Sequence, residues 1–389
     1  MSTFIQPLAR ADARMHHQER PCNTGGMAKP ATSSRSLLLS SSVAPSREKQ
    51  YGLTFSRGWL VKIAAETVKI SQEGHYTNRQ GRVVHVGDAL REAKVNSVHY
   101  HSSHTFHPSE TTQGIFEHTD YHVCYGSSLQ VAKRLRDQLQ MQLNVTNDDK
   151  ALRNIGILNS ASGKRPEKFL RGTLSQEEGI CRASLLYACL LQYTNRPHYF
   201  YYVNHKPKYQ ETTSSCAIFS PRVPVIREDS MSGYLKDDFE LYSFVSIPAP
   251  NAFALGGLAT SHDDNDNSRV GGANQMDSSG EATGVIPKAQ TPGSADRSEP
   301  FETMTIQSAM HDRIFRALSI FAEQGCTDLV LCAFGCGVHG NNPKEIASCF
   351  KDILSNELRG RFRTVVFAIN PSRQHNYEQF VNVFCPERK

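Results

Sequence analysis

No stretch of this 389-residue chain approaches the ~18 consecutive apolar residues that a membrane-spanning helix needs, so no membrane association is expected. The first thirty residues lack an apolar core segment, which argues against a secretory signal. Ten cysteines are scattered without a single C-x-x-C pair. Several of them (Cys181, Cys189, Cys332, Cys349) fall on apolar faces, which suits reduced thiols in a cytoplasmic or nuclear setting. The net charge is only +5 and no dense Lys/Arg stripe accompanies it, which permits an anionic ligand without calling for nucleic acid. There is no internal repeat. Histidines 99, 101, 104, 107, 118 and 122 cluster, but none is placed four residues from another on a helical stretch. A polar surface loop is the reading there, and no metal or cofactor is called for.

With 39% hydrophobic and 21% charged residues, the chain can build one large domain or two small ones. Residues 1–50, rich in Ser, Arg, Pro and Gly, read as a disordered tail. They resemble a mitochondrial transit peptide in their Arg content, but Asp12 and Glu19 count against it. Residues 253–300 read as a disordered insertion of Gly, Ser, Asp and Asn. Removing both leaves roughly 290 residues, the size of one α/β domain. Within 51–389, helical periodicity runs from Trp59 to Ile70 with Gly74 as its stop, and residues 57–120 form a helical opening part with an irregular sequel.

Further elements follow in alternation. Val123–Tyr125 reads as a strand, and Ser127 or Ser128 as the cap of a helix carrying Val131, Leu135 and Leu139. His198–Val203, Ala217–Ile226 and Phe244–Ile247 read as strands, the second held to an edge or to strand ends by its prolines. A helix near Thr303–Gln324, a strand at Leu329–Phe334, a helix capped by Asn342 with Pro343 at its first position, a strand at Thr364–Ile369 and a short helix at Tyr377–Phe384 complete the pattern. Alternating strands and helices predict a mixed, mostly parallel sheet with helices on both faces.

Two stretches carry chemistry. The first is Asn154–Tyr187: a buried strand to Asn159, a polar loop, and a helix from Ser175 with Cys181, Leu185, Ala188 and Cys189 at helical spacing. Its first turn holds Gln176, Glu177 and Glu178. Ser175-x-x-Glu178 is also the pattern of a capping box, and on spacing alone that reading is the stronger. The second is Gly335-x-Gly337-x-x-Gly340, between a strand and a helix. It matches a dinucleotide fingerprint, but only about fifty residues follow it, too few for the remaining strands of a Rossmann sheet, and no acid is placed for a ribose. The physics of a phosphate cradle survives: glycines let backbone amides approach an anion, and a helix dipole adds to it.

The order of Arg57–Tyr76, Ile157–Tyr187, Phe219–Asp229, Ala249-Pro250-Asn251 and Phe334–Pro343 resembles the microbial-type poly(ADP-ribose) glycohydrolases, a divergent branch of the macrodomain fold. The resemblance implies a three-layer αβα macrodomain-like domain, acting as a monomer, that binds ADP-ribose or an ADP-ribosylated protein and cuts a glycosidic ADP-ribosyl link. It implies Glu178 as the general acid/base and Glu177 on the ribose hydroxyls. It has Asn159 orient the distal ribose, makes Gln176 a further substrate-binding residue, and places the diphosphate on Gly335, Gly337, Val338, His339, Gly340 and Asn341. A neighbouring carboxylate and two ligand phosphates would let Glu178 take its proton on ligand binding. This chain departs from the family in one loop. Three consecutive glycines are replaced by Lys164–Phe169, including Pro166-Glu167-Lys168, which raises a second reading: an ADP-ribose-binding module without turnover. A third is another phosphate-ligand α/β enzyme built on the glycine loop.

Overall fold

A computed structural model describes residues 56–106, 116–143, 155–163, 166–194, 215–253 and 305–386. The expected N-terminal tail, the expected strand at 198–203 and nearly all of the expected 253–300 insertion lie outside those residues. The described residues belong to one compact unit, Leu37–Lys389.

The first helix, α1 (Arg57–Glu73), opens where the Ser56 hydroxyl accepts from the Trp59 amide and closes at Gly74, whose φ of 75° is the left-handed stop a glycine adopts freely. It buries Leu60, Ile63, Ala64, Thr67 and Ile70. The expected irregular stretch after it begins with regular elements. β1 (His75–Thr77) and β2 (Val83–His85) form a two-stranded antiparallel sheet, followed by α2 (Gly87–Val95) and β3 (Val98–Tyr100). Short apolar anchors explain the difference: Tyr76, Val84, Val86, Leu90, Ala93 and Tyr100 are all buried, although none forms a periodic run visible in sequence. Among the described residues, no group of three His, Cys, Asp or Glu side chains could hold a metal ion.

The main sheet adds β4 (Asp120–Tyr125), β5 (Ile155–Ser160), β6 (Ala217–Arg227), β7 (Leu235–Ile247), β8 (Asp328–Cys332) and β9 (Thr364–Ile369). Its seven strands run in the order β3-β6-β7-β5-β8-β9-β4. β7, β5, β8, β9 and β4 are mutually parallel, and β6 is antiparallel to both neighbours, so the sheet is mixed and mostly parallel. The prolines of β6 sit as chain chemistry demands. β3 pairs only with Ala217–Phe219, while Pro221 falls in the irregularity between Ser220 and Val223.

Helices α3 (Ser128–Leu143), α4 (Gln176–Ala183) and α5 (Leu186–Leu190) join α1 and α2 on one face, while α6 (Ile306–Glu323), α7 (Pro343–Ser355) and α8 (Gln374–Phe384) cover the other. Strand alternation divides the two cores: Ile155, Ile157, Val330 and Val366 face the first set, and Leu158, Leu329, Leu331, Val365 and Phe367 the second. Gly156 is where α6 presses closest, since a Cβ there would lie 2.6 Å from the Phe321 ring. The arrangement is the three-layer α/β sandwich anticipated.

One expected helix is two. The apolar spacing from Cys181 to Cys189 is continuous, but Ser184 is extended, bridges to Val225, and is followed by a Leu185 amide that donates to the Pro224 carbonyl at 2.9 Å. The outer side of β6, which β3 leaves uncovered there, captures this backbone and ends α4 early.

Candidate functional site

β5, β8 and β9 end at the same edge of the sheet, where ligands of parallel α/β folds bind. A cavity of about 900 Å³ opens there, lined by Ser160 after β5, Cys332 and Ala333 after β8, and Ile369 and Asn370 after β9. Two chain segments far apart in sequence close over it: Ser175–Ala183, carrying Glu177 and Glu178, and the loop carrying Gly335, Gly337, Val338 and His339.

The acidic pair is buried yet borders the cavity. Glu177 is 2% and Glu178 4% exposed. The capping box expected at Ser175 does not form, since the Ser175 side chain makes no capping bond and Glu178 Oε2 has no hydrogen-bond partner. Glu178 thus borders the cavity without closing back on its own helix end. Glu177 is held on both oxygens: Oε1 accepts from Asn159 Nδ2 at 3.3 Å and Oε2 from the Ser162 amide at 2.8 Å.

Asn159 itself is fully buried behind Glu177 and outside the cavity wall; its Nδ2 also donates to Ser246 Oγ at 3.0 Å. It bears on the cavity through the Glu177 carboxylate it holds. Gln176 lines the cavity, but its amide is committed to the protein. Nε2 donates to Ser128 Oγ and to the Leu158 carbonyl, and Oε1 accepts from the Ser160 amide, each at 2.8 Å. It ties α3, β5 and α4 together beneath the acids.

The glycine loop is braced from behind. Gly335 has φ 73°, and a Cβ on it would lie 2.5 Å from Asn341 Nδ2. Asn341, expected to touch ligand, is buried outside the cavity wall. Its amide donates to the carbonyls of Pro250 and Gly335, both at 2.9 Å. Gly340, also expected at the ligand, has φ 66° and is covered by the Phe253 ring. The Ala252 amide donates to the His339 carbonyl at 3.0 Å, so the 249–253 segment acts as a strut. The loop closes on itself through Cys336 to Ala333, Gly340 to Gly337 and Asn341 to Gly335. The amides of Gly337, Val338 and His339 have no acceptor among the described residues, which leaves consecutive N–H groups beside the cavity, the makings of an anion cradle. α7 begins directly after, its Asn342 side chain accepting from the Lys344 amide and Pro343 at its first position.

Charge around the cavity is mixed. Burial lowers the pKa of the His339 imidazole, and the Lys168 ammonium adds to that, partly offset by a backbone hydrogen bond involving Ala249. Burial also pushes the Asp229 carboxyl up, against the Ser127 hydroxyl bond and the positive charge of Arg182. Asp229 borders the cavity beside α4, its Oδ1 3.4 Å from where a Cβ on Gly179 would sit. Sequence reasoning gave Asp229 no role; the available signal was an acid just past the end of a strand, after Arg227-Glu228. Burial raises the Cys332 thiol to about 12, so this cysteine, although it borders the cavity, is no thiolate nucleophile.

The altered loop is a short 3-10 turn, Pro166–Arg171. Glu167 does not line the cavity, and its charge acts on Tyr187 instead; Lys168 does line it. Of this adjacent pair, the carboxylate thus lies off the cavity and the residue beside the site is a cation.

An α/β sandwich with a buried acid pair and a cradle of free amides in one cleft defines a macrodomain-like fold. The sequence model described as microbial-type PARG, catalytic domain, matches residues 64–228, and none of the curated proteins matches the chain. Among solved structures, poly(ADP-ribose) glycohydrolase from Thermomonospora curvata is 27% identical, with a TM-score of 0.61 over 84% of this chain and 99% of that one. The same enzyme bound to the inhibitor ADP-HPD gives 28% and 0.58, over 83% and 98%. Poly(ADP-ribose) glycohydrolase from Deinococcus radiodurans in complex with ADP-ribose gives 25% and 0.55, over 76% and 97%. Residues 64–228 thus match the catalytic domain of the microbial-type poly(ADP-ribose) glycohydrolases, and the chain is similar in fold to solved bacterial enzymes of that name.

Proposed function

We propose that this protein hydrolyses O-glycosidic ADP-ribosyl bonds, with Glu178 as general acid/base. The observation that carries this is the placement of Glu178: nearly buried, with an unpartnered Oε2, in the same cavity as the free amides of Gly337–His339. Solved structures similar to this chain hold ADP-HPD or ADP-ribose, which supports ADP-ribose as the ligand class.

The diphosphate lies against the Gly337–His339 amides, which stabilise its charge without side-chain entropy. This orients the distal ribose toward the α4 acids. Glu177, fixed by Asn159 and Ser162, accepts from ribose hydroxyls. Glu178 donates its proton to the departing oxygen as the C1–O bond breaks and positive charge develops on the sugar. It then takes a proton from the water that adds at C1, which regenerates the acid and leaves free ADP-ribose. Positioning and charge stabilisation supply most of the barrier reduction, and the acid about 10²–10⁴-fold.

The departing group is the ribosyl hydroxyl of a chain or the acceptor oxygen of a protein. The test incubates the protein with ADP-ribosylated protein and quantifies released ADP-ribose. Glu178→Gln abolishes release while ADP-ribose affinity stays within about tenfold, that is ~1.4 kcal/mol. Undiminished release by the variant removes Glu178 from the mechanism. Binding by the wild type without any release establishes the non-hydrolytic module instead.

A further inference from the structure

Four carboxylates border the cavity, Glu177, Glu178, Glu228 and Asp229, and the proposed ligand carries a diphosphate. Backbone amides contribute partial charges, so a full positive charge nearby would add to their hold on the dianion. Four basic side chains border the cavity: Lys168, Arg182, Arg227 and Arg373. Arg182 is buried and donates to the Thr173 carbonyl at 2.6 Å. Arg227 is buried too; it donates to Thr67 Oγ1 and the Gly233 carbonyl and pairs with Glu66 at 2.6 Å. Both are committed to the scaffold. Arg373 lies on the segment after β9, at the N-cap of α8. Lys168 is exposed and has no side-chain partner among the described residues. Its charge reaches His339, one of the three residues with a free amide. It also stands on the turn where the family's glycine loop has been replaced.

We propose that Lys168 is a substrate-contacting residue whose ammonium pairs with the diphosphate on the side opposite the Gly337–His339 amides, in place of glycine amides in that loop. This rests on the ADP-ribose reading of the cavity. The turn folds with the adjacent acid directed at Tyr187 and the lysine at the cleft, so the sequence Glu167-Lys168 separates two opposite charges by facing them apart. A lysine is suited to the task because its flexible stem lets one point charge follow a phosphate, whereas a fixed amide needs backbone precision.

ADP-ribose and, separately, inorganic pyrophosphate are titrated calorimetrically into the wild type, Lys168→Gln and Lys168→Arg at about 0.05 M and about 0.5 M monovalent salt. At low salt Lys168→Gln weakens both ligands about fivefold, as expected for an exposed charge pair near 4 Å. Lys168→Arg stays within about twofold, and at high salt the Gln deficit closes as the charge is screened. Unchanged thermal midpoints show that the variants are folded. Equal low-salt affinity of Lys168→Gln and wild type for both ligands overturns the proposal, as does a deficit that salt does not alter. Wild type that binds pyrophosphate in this Lys168-dependent way but not ADP-ribose keeps the lysine assignment and overturns the ADP-ribose reading. Wild type that binds neither overturns both.

Discussion

Gly335→Ala is the sharpest test of how the anion cradle is held. At φ 73° an alanine pays the left-handed penalty of about 1–2 kcal/mol. The added Cβ would sit 2.5 Å from Asn341 Nδ2, 3.1 Å from Ala249 Cβ and 3.2 Å from Met310 Cε. Asn341 must therefore shift, and its two 2.9 Å bonds to Pro250 and Gly335 are weakened or lost. At roughly 1 kcal/mol each these bring the total to about 2–4 kcal/mol. ADP-ribose affinity, read by calorimetry, falls by about thirtyfold or more, the equivalent of ~2 kcal/mol. The thermal midpoint falls by roughly 2–4 °C for each kcal/mol lost from the native state. Gly337→Ala is the matched control. Its φ is unexceptional and nothing lies within 4 Å of a Cβ there, so stability holds within about 0.5 kcal/mol while a methyl enters the ligand's space and weakens binding. If Gly335→Ala keeps both the wild-type affinity and the wild-type midpoint, the bracing of this loop by Asn341 is wrong.

Asn159→Ala leaves Glu177 without its buried donor, so the rate of ADP-ribose release falls about tenfold while ADP-ribose binding changes far less; a loss confined to binding contradicts the orienting role. Asp229→Asn tests the raised carboxyl. Because the folded state favours its neutral form, the native ionised side chain is a liability that grows as pH rises above the ordinary value of 3.8 through the raised folded value. The variant therefore has a higher thermal midpoint than wild type at pH 7, and the gap shrinks as pH falls toward 4, measured by scanning calorimetry across that window. His99, lowered to about 4 by burial and by His101, predicts the opposite slope. Its neutral form is the folded one, so it contributes stability above its ordinary 6.5, and that contribution is lost as pH falls toward 4. A chain with His99→Asn loses less stability across that range than wild type.

The parts of the fold that local chemistry writes were legible. Helix α7 announced itself through Asn342, Pro343 and the spacing of Ile346, Phe350 and Ile353, and the buried strands β5, β8 and β9 through short apolar runs between turn residues. What tertiary contacts decide was not. The break at Ser184 cuts through an unbroken helical pattern because β6 offers a bare edge carbonyl at Pro224. The same limit hid the capping outcome: Ser175-x-x-Glu178 has the right spacing, yet the folded chain forms no cap there and sets Glu178 in the cavity wall.

Residue depth was the second gap. Asn159, Gly340 and Asn341 lie on the right segments, but pattern alone cannot tell a wall residue from the one bracing it from behind. Asp229 and Lys168 were reached by the opposite route. Lys168 stood out in sequence only as part of an altered loop and Asp229 only as the end of a matching stretch, and folding is what brings each to the cavity shared by Glu178 and His339.

The most direct measurement is a crystal structure of the Glu178→Gln variant with ADP-ribose. The account predicts diphosphate oxygens about 2.7–3.2 Å from the amides of Gly337, Val338 or His339, with residue 178 in hydrogen-bond reach of the oxygen on the anomeric carbon. ADP-ribose lying elsewhere, or turned so that its adenine faces the α4 acids, contradicts it.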